Sequence, residues 1–180
     1  MTVPIDKFVG TFFKYPLKKY LIFCDLDGVL TDFDLSFQNL TKGKFKTANE
    51  YTNHYSKDDT IDLIEAAGES FWFEMKWKKD GVLLWNYIKK YNPIILTSYP
   101  DRESCYNPAY YGKTAWVLTN LGRSTQIVVT REKEHYANDS SVLIDDHKNV
   151  IKKYTEAGGL GIVHTSSLET INILKLEYGL

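Results

Sequence analysis

The sequence predicts an α/β protein: a doubly wound parallel sheet with a small helical cap inserted after the first strand. Three observations carry this prediction. Short apolar runs at residues 20–24, 93–96, 126–129, 142–144 and 161–163 recur along the chain in alternation with helical patterns. These runs are apolar throughout rather than alternating, as strands buried on both faces are. Three of them end in polar groups, in the chain order Asp-x-Asp, Thr-Ser, Asp-Asp. If those strands are neighbours in a parallel sheet, their polar ends converge.

The first run, Tyr20-Leu21-Ile22-Phe23, leads into Cys24-Asp25-Leu26-Asp27-Gly28-Val29-Leu30-Thr31-Asp32. Residues two apart in a strand lie on one side of the chain, so Asp25 and Asp27 can face one small volume. Gly28 supplies the backbone freedom for a turn there. Two anions this close repel unless a cation sits between them or one is protonated. A hard divalent cation, Mg²⁺, is the economical answer. Thr31 and Asp32 close the turn, and serve either to orient Asp27 or for packing and capping.

About sixty residues then pass, from Asp32 to Pro93, without a clear strand. Helical patterns cover 34–40, 50–55 and 60–67. The expected organisation is an α/β core of residues 1–33 and 76–180, with 34–75 as a helical cap lying over the carboxylates like a lid. The alternative is a longer crossover of packed helices. Phe71, Trp72, Phe73 and Trp77 either stack on a substrate and wall the site or pack cap against core. Lys76, Lys78 and Lys79 read as a solvated face.

A helix over 80–91 leads to the second run, which ends in Thr97-Ser98. Lys113 opens a helix over 113–121, where the dipole disfavours a cation and so hints at a functional reason. Lys133 is the competing lysine, in a polar loop before the fourth run; Lys113 is preferred. The fourth run ends in Asp145-Asp146, metal ligands or an N-cap pair for a helix over 148–157. Gly158 and Gly159 end that helix, and Ser166 with Glu169 makes a capping box for the last one, 167–176. The glycines at 158, 159 and 161 precede a strand, the wrong order for a dinucleotide loop. His147 is the one histidine next to a motif and reads as a loop residue.

Composition narrows the function classes. The chain has 180 residues, 43% of them apolar, which suits one domain with a real core. A net charge of −1 gives no basic field for nucleic acid. Two cysteines, Cys24 and Cys105, are too few for a disulfide framework. No run reaches the ~18 apolar residues of a membrane span, and the first residues lack a signal-peptide pattern. The expectation is a reduced, cytoplasmic protein, monomeric or homodimeric, with a small phosphorylated partner and no membrane.

The motifs resemble those of the haloacid dehalogenase-like phosphohydrolases. Asp25-x-Asp27-Gly28-Val29 looks like their first motif, and Thr97, Lys113 and Asp145-Asp146 like the second, third and fourth. A narrower likeness is visible in Tyr111-Gly112-Lys113-Thr114-Ala115-Trp116-Val117, in Gln126–Lys133 and in Leu143-Ile144-Asp145-Asp146, which are similar to the 5′(3′)-deoxyribonucleotidases; the cap segment matches that family poorly. The resemblance implies a Mg²⁺-dependent phosphomonoesterase acting through an aspartyl-phosphate. Asp25 would be the nucleophile and Asp27 the general acid and then base. Asp25, the Asp27 carbonyl, Asp145 and Asp146 would hold the metal. Thr97 and Lys113 would act on the phosphoryl group, with Ser98, Gly28, Phe71 and Trp72 against the substrate. The implied substrates are (deoxy)nucleoside 5′-monophosphates. The alternatives are another small phosphate ester, a nucleic-acid end, or a non-catalytic phosphate-binding module on the same fold.

Overall fold

The computed structural model describes residues 20–180; the amino-terminal residues scanned for a signal peptide lie outside them. The elements are β1 (Leu21–Cys24), α1 (Phe33–Leu40), α2 (Ala48–His54), α3 (Lys57–Phe73), α4 (Gly81–Ile88), β2 (Ile94–Thr97), α5 (Tyr106–Asn120), β3 (Ile127–Val129), β4 (Ser141–Asp145), α6 (Lys148–Glu156), β5 (Leu160–Val163) and α7 (Ser167–Tyr178). The expected doubly wound α/β core is present. Five strands, all parallel, run in the order β3-β2-β1-β4-β5. The chain steps outward from β1 to β3, then returns to lay β4 against the other side of β1. Ligands of such sheets bind where the order reverses, outside the carboxyl ends of the strands; here that point lies between β1 and β4.

Strand periodicity divides the core. Ile22, Cys24, Ile95, Val142, Ile144 and Ile162 face one side and pack with Leu84 and Ile88 of α4, Trp116 and Val117 of α5 and Leu174 of α7. Phe23, Leu96 and Leu143 face the other and pack with Ile151 and Tyr154 of α6. Each strand is therefore covered on both faces, which is why the runs carry no polar alternation.

Among the described residues, the segment read as a cap packs into the core of the sheet. Phe37, Ile64, Phe71 and Trp72 belong to the same apolar cluster as Ile22 and Cys24. Gly68, at φ 64, breaks α3, one residue after the predicted helix stops. Beyond the break, α3 lies hard against α5. A Cβ on Gly112 would stand 2.5 Å from the Glu69 carbonyl oxygen and 2.7 Å from Trp72 Cβ. The chain leaving α3 is stitched to the turn after β1: Asp32 N donates to Lys76 O at 2.8 Å and Lys78 N to Leu30 O at 2.7 Å. Trp116 Nε1 donates to Met75 O at 2.8 Å. Among the described residues no helix is long and apolar enough to cross a membrane.

Other boundaries differ from the sequence reading in instructive ways. α5 begins at Tyr106 rather than at Lys113, because Pro108 falls in its first turn, where the missing N–H is not needed. The helix over 80–91 holds as α4 plus a 3₁₀ turn. The Ser166 cap accepts from Glu169 N as expected.

Gly112→Ala tests the α3–α5 approach. Alanine gains roughly 1 kcal/mol of helix propensity over glycine, but overpacking against fixed backbone costs about 1–3 kcal/mol. The expected result is a net loss of stability in thermal unfolding; an unchanged or raised midpoint would contradict the close approach.

Candidate active site

The site is built from the ends of three neighbouring strands. Asp25 follows β1 directly, its N–H donating to Ile144 O at 2.9 Å, so it stands beside Asp145, the last residue of β4. Thr97 ends β2 on the other side of β1. The turn after Asp25 folds on itself: Gly28 N donates to Thr31 O at 2.9 Å and Leu30 N to Leu26 O at 2.8 Å. Gly28 is required twice over. Its φ is +78°, and a Cβ there would lie 2.2 Å from Asp146 Oδ2.

These residues line a cleft of about 450 Å³ together with Asp32, Phe33, Asp34, Lys78, Ser98, Lys133, Asp146 and His147. Asp25, Asp27, Asp32, Asp34, Asp145 and Asp146 make six carboxylates in its wall, against the ammonium groups of Lys78 and Lys133. That imbalance favours a cation among the carboxylates, or protonation of some of them.

Two lysines enter from opposite faces of the sheet. Lys133 comes from the α6 side, in a short 3₁₀ turn held by the Phe23–Tyr136 ring contact and by Tyr154 Oη donating to Tyr136 O at 3.2 Å. Its Nζ lies 2.9 Å from Asp25 Oδ1 and 2.7 Å from Asp145 Oδ2. Burial works to discharge this ammonium, but Asp25 and Asp145 outweigh it and raise its pKa. Lys113 comes from the α5 side. Its Nζ donates to Asp27 Oδ2 at 2.6 Å, to Thr97 Oγ1 at 3.0 Å and to Ser98 O.

The carboxyls respond to this setting. Burial, then the Asp25 charge, push Asp145 up to about 7, with Lys133 pulling the other way. Asp27 is also raised by desolvation, which Lys113 opposes and Asp25 reinforces. Thr31 Oγ1 lies 3.2 Å from Asp27 Oδ1 and 3.1 Å from Leu26 O. One hydroxyl hydrogen serves one of them at a time, so Thr31 can donate to an ionised Asp27 or accept from a protonated one.

Asp25, Asp145 and Asp146 each offer a carboxylate oxygen within 4.8 Å of the others. Asp25 Oδ1 is buried without a hydrogen bond, its contact to Lys133 Nζ being close in distance but off the hydrogen-bonding direction. An all-oxygen, anionic donor set that includes a buried oxygen with no hydrogen bond fits a hard cation such as Mg²⁺.

The structure brings together most of the expected residues and redistributes some. Asp25, Asp27, Gly28, Thr97, Ser98, Asp145 and Asp146 share the cleft. The Asp27 side chain is absent from the three-carboxylate cluster and turns to Lys113 instead. Of the two lysines weighed in the sequence, Lys133 lines the cleft and touches Asp25, while Lys113 is fully buried and reaches Asp27 and Thr97. Phe71 and Trp72 do not line this cleft. They are 7% and 3% exposed and pack in the core, because α3 turns that face onto α5. Phe33 is the aromatic in the wall, backed by the rings of Phe71 and Trp72 at 5.5 and 6.1 Å. Lys78, read as a solvated lysine, lines the cleft and bonds the Gly28 carbonyl. Thr31 Oγ1 lies within hydrogen-bond reach of Asp27 Oδ1, and Asp32 caps α1 by accepting from Leu35 N at 3.0 Å.

No protein-family model matches the chain, and no curated protein matches it. Solved structures do. A hydrolase from Streptococcus pneumoniae TIGR4 is similar at 15% identity and a TM-score of 0.51, over 88% of this chain and 100% of that one. The chain shares that hydrolase's fold. A HAD-superfamily hydrolase, subfamily IA, variant 1, from Geobacter sulfurreducens PCA aligns at 13% identity and a TM-score of 0.49, over 89% of this chain and 99% of its own. A HAD-superfamily hydrolase from Ehrlichia chaffeensis aligns at 10% identity and a TM-score of 0.48, over 89% and 98%.

The raised Asp145 gives a signed expectation. With a folded pKa of about 7 against an ordinary 3.8, the folded state binds the extra proton between those values. The stability from this group is complete below about pH 4 and lost as pH rises through 7. In chelator, the melting temperature at pH 7.5 should be no lower in Asp145→Asn than in the parent. Millimolar Mg²⁺ should raise it in the parent and not in the variant. A Mg²⁺ shift that survives in Asp145→Asn would contradict the assignment of this cluster.

Proposed function

We propose that the chain is a Mg²⁺-dependent phosphomonoesterase of the haloacid dehalogenase type, acting through an aspartyl-phosphate on Asp25 with nucleoside 5′-monophosphates, deoxy forms included, as substrates. The observation that carries this reading is Asp25 and Asp145 on adjacent strand ends, bridged by Lys133 from the 3₁₀ turn before β4, with Thr97 and Ser98 beside them in one cleft.

A Mg²⁺ held by Asp25, Asp145 and Asp146 would screen the phosphate dianion from the carboxylates around it. The chain's own groups then divide the work. An Asp25 carboxylate oxygen bonds to phosphorus as the bond from phosphorus to the leaving oxygen breaks, and Asp27 gives that oxygen its proton. In the second half, water bonds to phosphorus and loses a proton to Asp27. The Asp25–phosphorus bond breaks, which returns the Asp25 carboxylate and releases inorganic phosphate. Lys133 sits beside Asp25 as a fixed positive charge for the transferring group. Thr97 Oγ1 accepts from Lys113, which leaves its own hydrogen free for a phosphoryl oxygen.

The substrate class rests on three supports: the deoxyribonucleotidase-like segments around Lys113, Thr130 and Asp145, a cleft of about 450 Å³, within the range that takes a small ligand, and the Phe33 ring in its wall. A panel of ribo- and deoxynucleoside monophosphates, a sugar phosphate and a 5′-phosphorylated oligonucleotide, assayed with Mg²⁺, tests it. The mononucleotides should show the highest kcat/KM. Asp25→Asn should lose at least about a thousandfold in kcat. Cleavage of the oligonucleotide alone would overturn the substrate class, and an active Asp25→Asn protein would overturn the nucleophile.

A further inference from the structure

Lys113 is the most unusual side chain outside the reacting groups. It occupies the apolar stripe of α5, with Ala109, Gly112, Trp116 and Val117 as its buried neighbours on that helix, and it is 0% exposed. A lysine in that position must justify a large desolvation cost. Its three N–H bonds have three acceptors: Asp27 Oδ2, Thr97 Oγ1 and Ser98 O. None remains for a phosphoryl oxygen. Below it, the Trp72 ring of α3 lies 4.5 Å from Nζ, close enough for a cation–π contact.

We propose that Lys113 is a positioning residue for Asp27, and that it transmits the seating of α3 to the proton donor through Trp72. This deepens the phosphomonoesterase reading and rests on it. Lys113 pins Oδ2, so Oδ1 is the oxygen that carries a proton to and from the substrate. Thr31 Oγ1, at 3.2 Å from Oδ1, stays free to accept from that oxygen by turning its hydrogen to Leu26 O. Lys113 and Thr31 hold the two oxygens of Asp27 from opposite ends of the carboxyl group. The close approach at Gly112 sets the height of Lys113 over Trp72. The contacts of α3 thus reach Asp27 through Trp72 and Lys113, while the lysine beside Asp25 and Asp145 comes from the other face of the sheet.

The experiment separates proton delivery from phosphoryl transfer by leaving group. An alkyl phosphate needs its leaving oxygen protonated; 2,4-dinitrophenyl phosphate does not. In Lys113→Met, kcat on the alkyl ester should fall on the order of a hundredfold while kcat on the dinitrophenyl ester stays within about threefold, the range expected for a displaced general acid. Asp27→Asn should show the same split. Trp72→Phe, which keeps an aromatic ring in the core, should show it at smaller amplitude and carries the test if Lys113→Met fails to fold. Equal losses on both esters would mean that Lys113 acts on the phosphoryl group or only on folding, and would overturn the proposal. A parent protein inert on both esters would overturn the phosphomonoesterase reading and this inference with it.

Discussion

The repulsion between Asp25 and Asp145 is the constraint around which this molecule is arranged. Parallel pairing of β1 with β4, in the register Cys24 to Ile144, makes the next residue of each strand a neighbour of the other. Two buried carboxylates therefore stand at the point where the sheet reverses its order. Such a pair persists only with a cation beside it or with one member protonated. Lys133 supplies one from within the chain, and Asp25, Asp145 and Asp146 together could hold a metal ion as a second. The turn that delivers Asp27 and the glycine that admits Asp146 belong to the same arrangement.

The two lysines explain why the fold needs both faces of its sheet. Lys133 arrives on the α6 side and serves the carboxylate pair; Lys113 arrives on the α5 side and serves Asp27 and Thr97. Each is held by packing specific to its face, Phe23, Tyr136 and Tyr154 for one, Trp72, Gly112 and Trp116 for the other. Helices α1–α3 share the core of the sheet rather than forming a body of their own. Their influence on the site runs through Phe33 in the cleft wall and Trp72 under Lys113.

Much of this was legible in the sequence. All five strands could be placed because burial on both faces leaves unbroken apolar runs, and the strand-end carboxylates and hydroxyls stand out against those runs. The roles of the two lysines were not legible from the motif pattern, since the turn carrying Lys133 has no periodicity to mark it. A signal for Lys113 did exist: it falls four residues after Ala109 and four before Val117, inside the apolar stripe of a helix whose early start Pro108 marks. Phe71 and Trp72 read as site aromatics because nothing local tells which face a helix turns inward; Gly112, which lets α3 come close, lies across the core from them. Lys78 read as solvent-facing because its partner, the Gly28 carbonyl, is fifty residues away in the chain.

The central claim is that Asp25 becomes the phosphoryl carrier. Acid-quenched mixing of the protein with excess p-nitrophenyl phosphate and Mg²⁺, followed by peptide mass spectrometry, tests it directly. A phosphoryl group is expected on the peptide that contains Asp25, discharged in alkali and absent from Asp25→Asn. Steady turnover with the phosphoryl group on another residue, or undiminished turnover in Asp25→Asn, would contradict it.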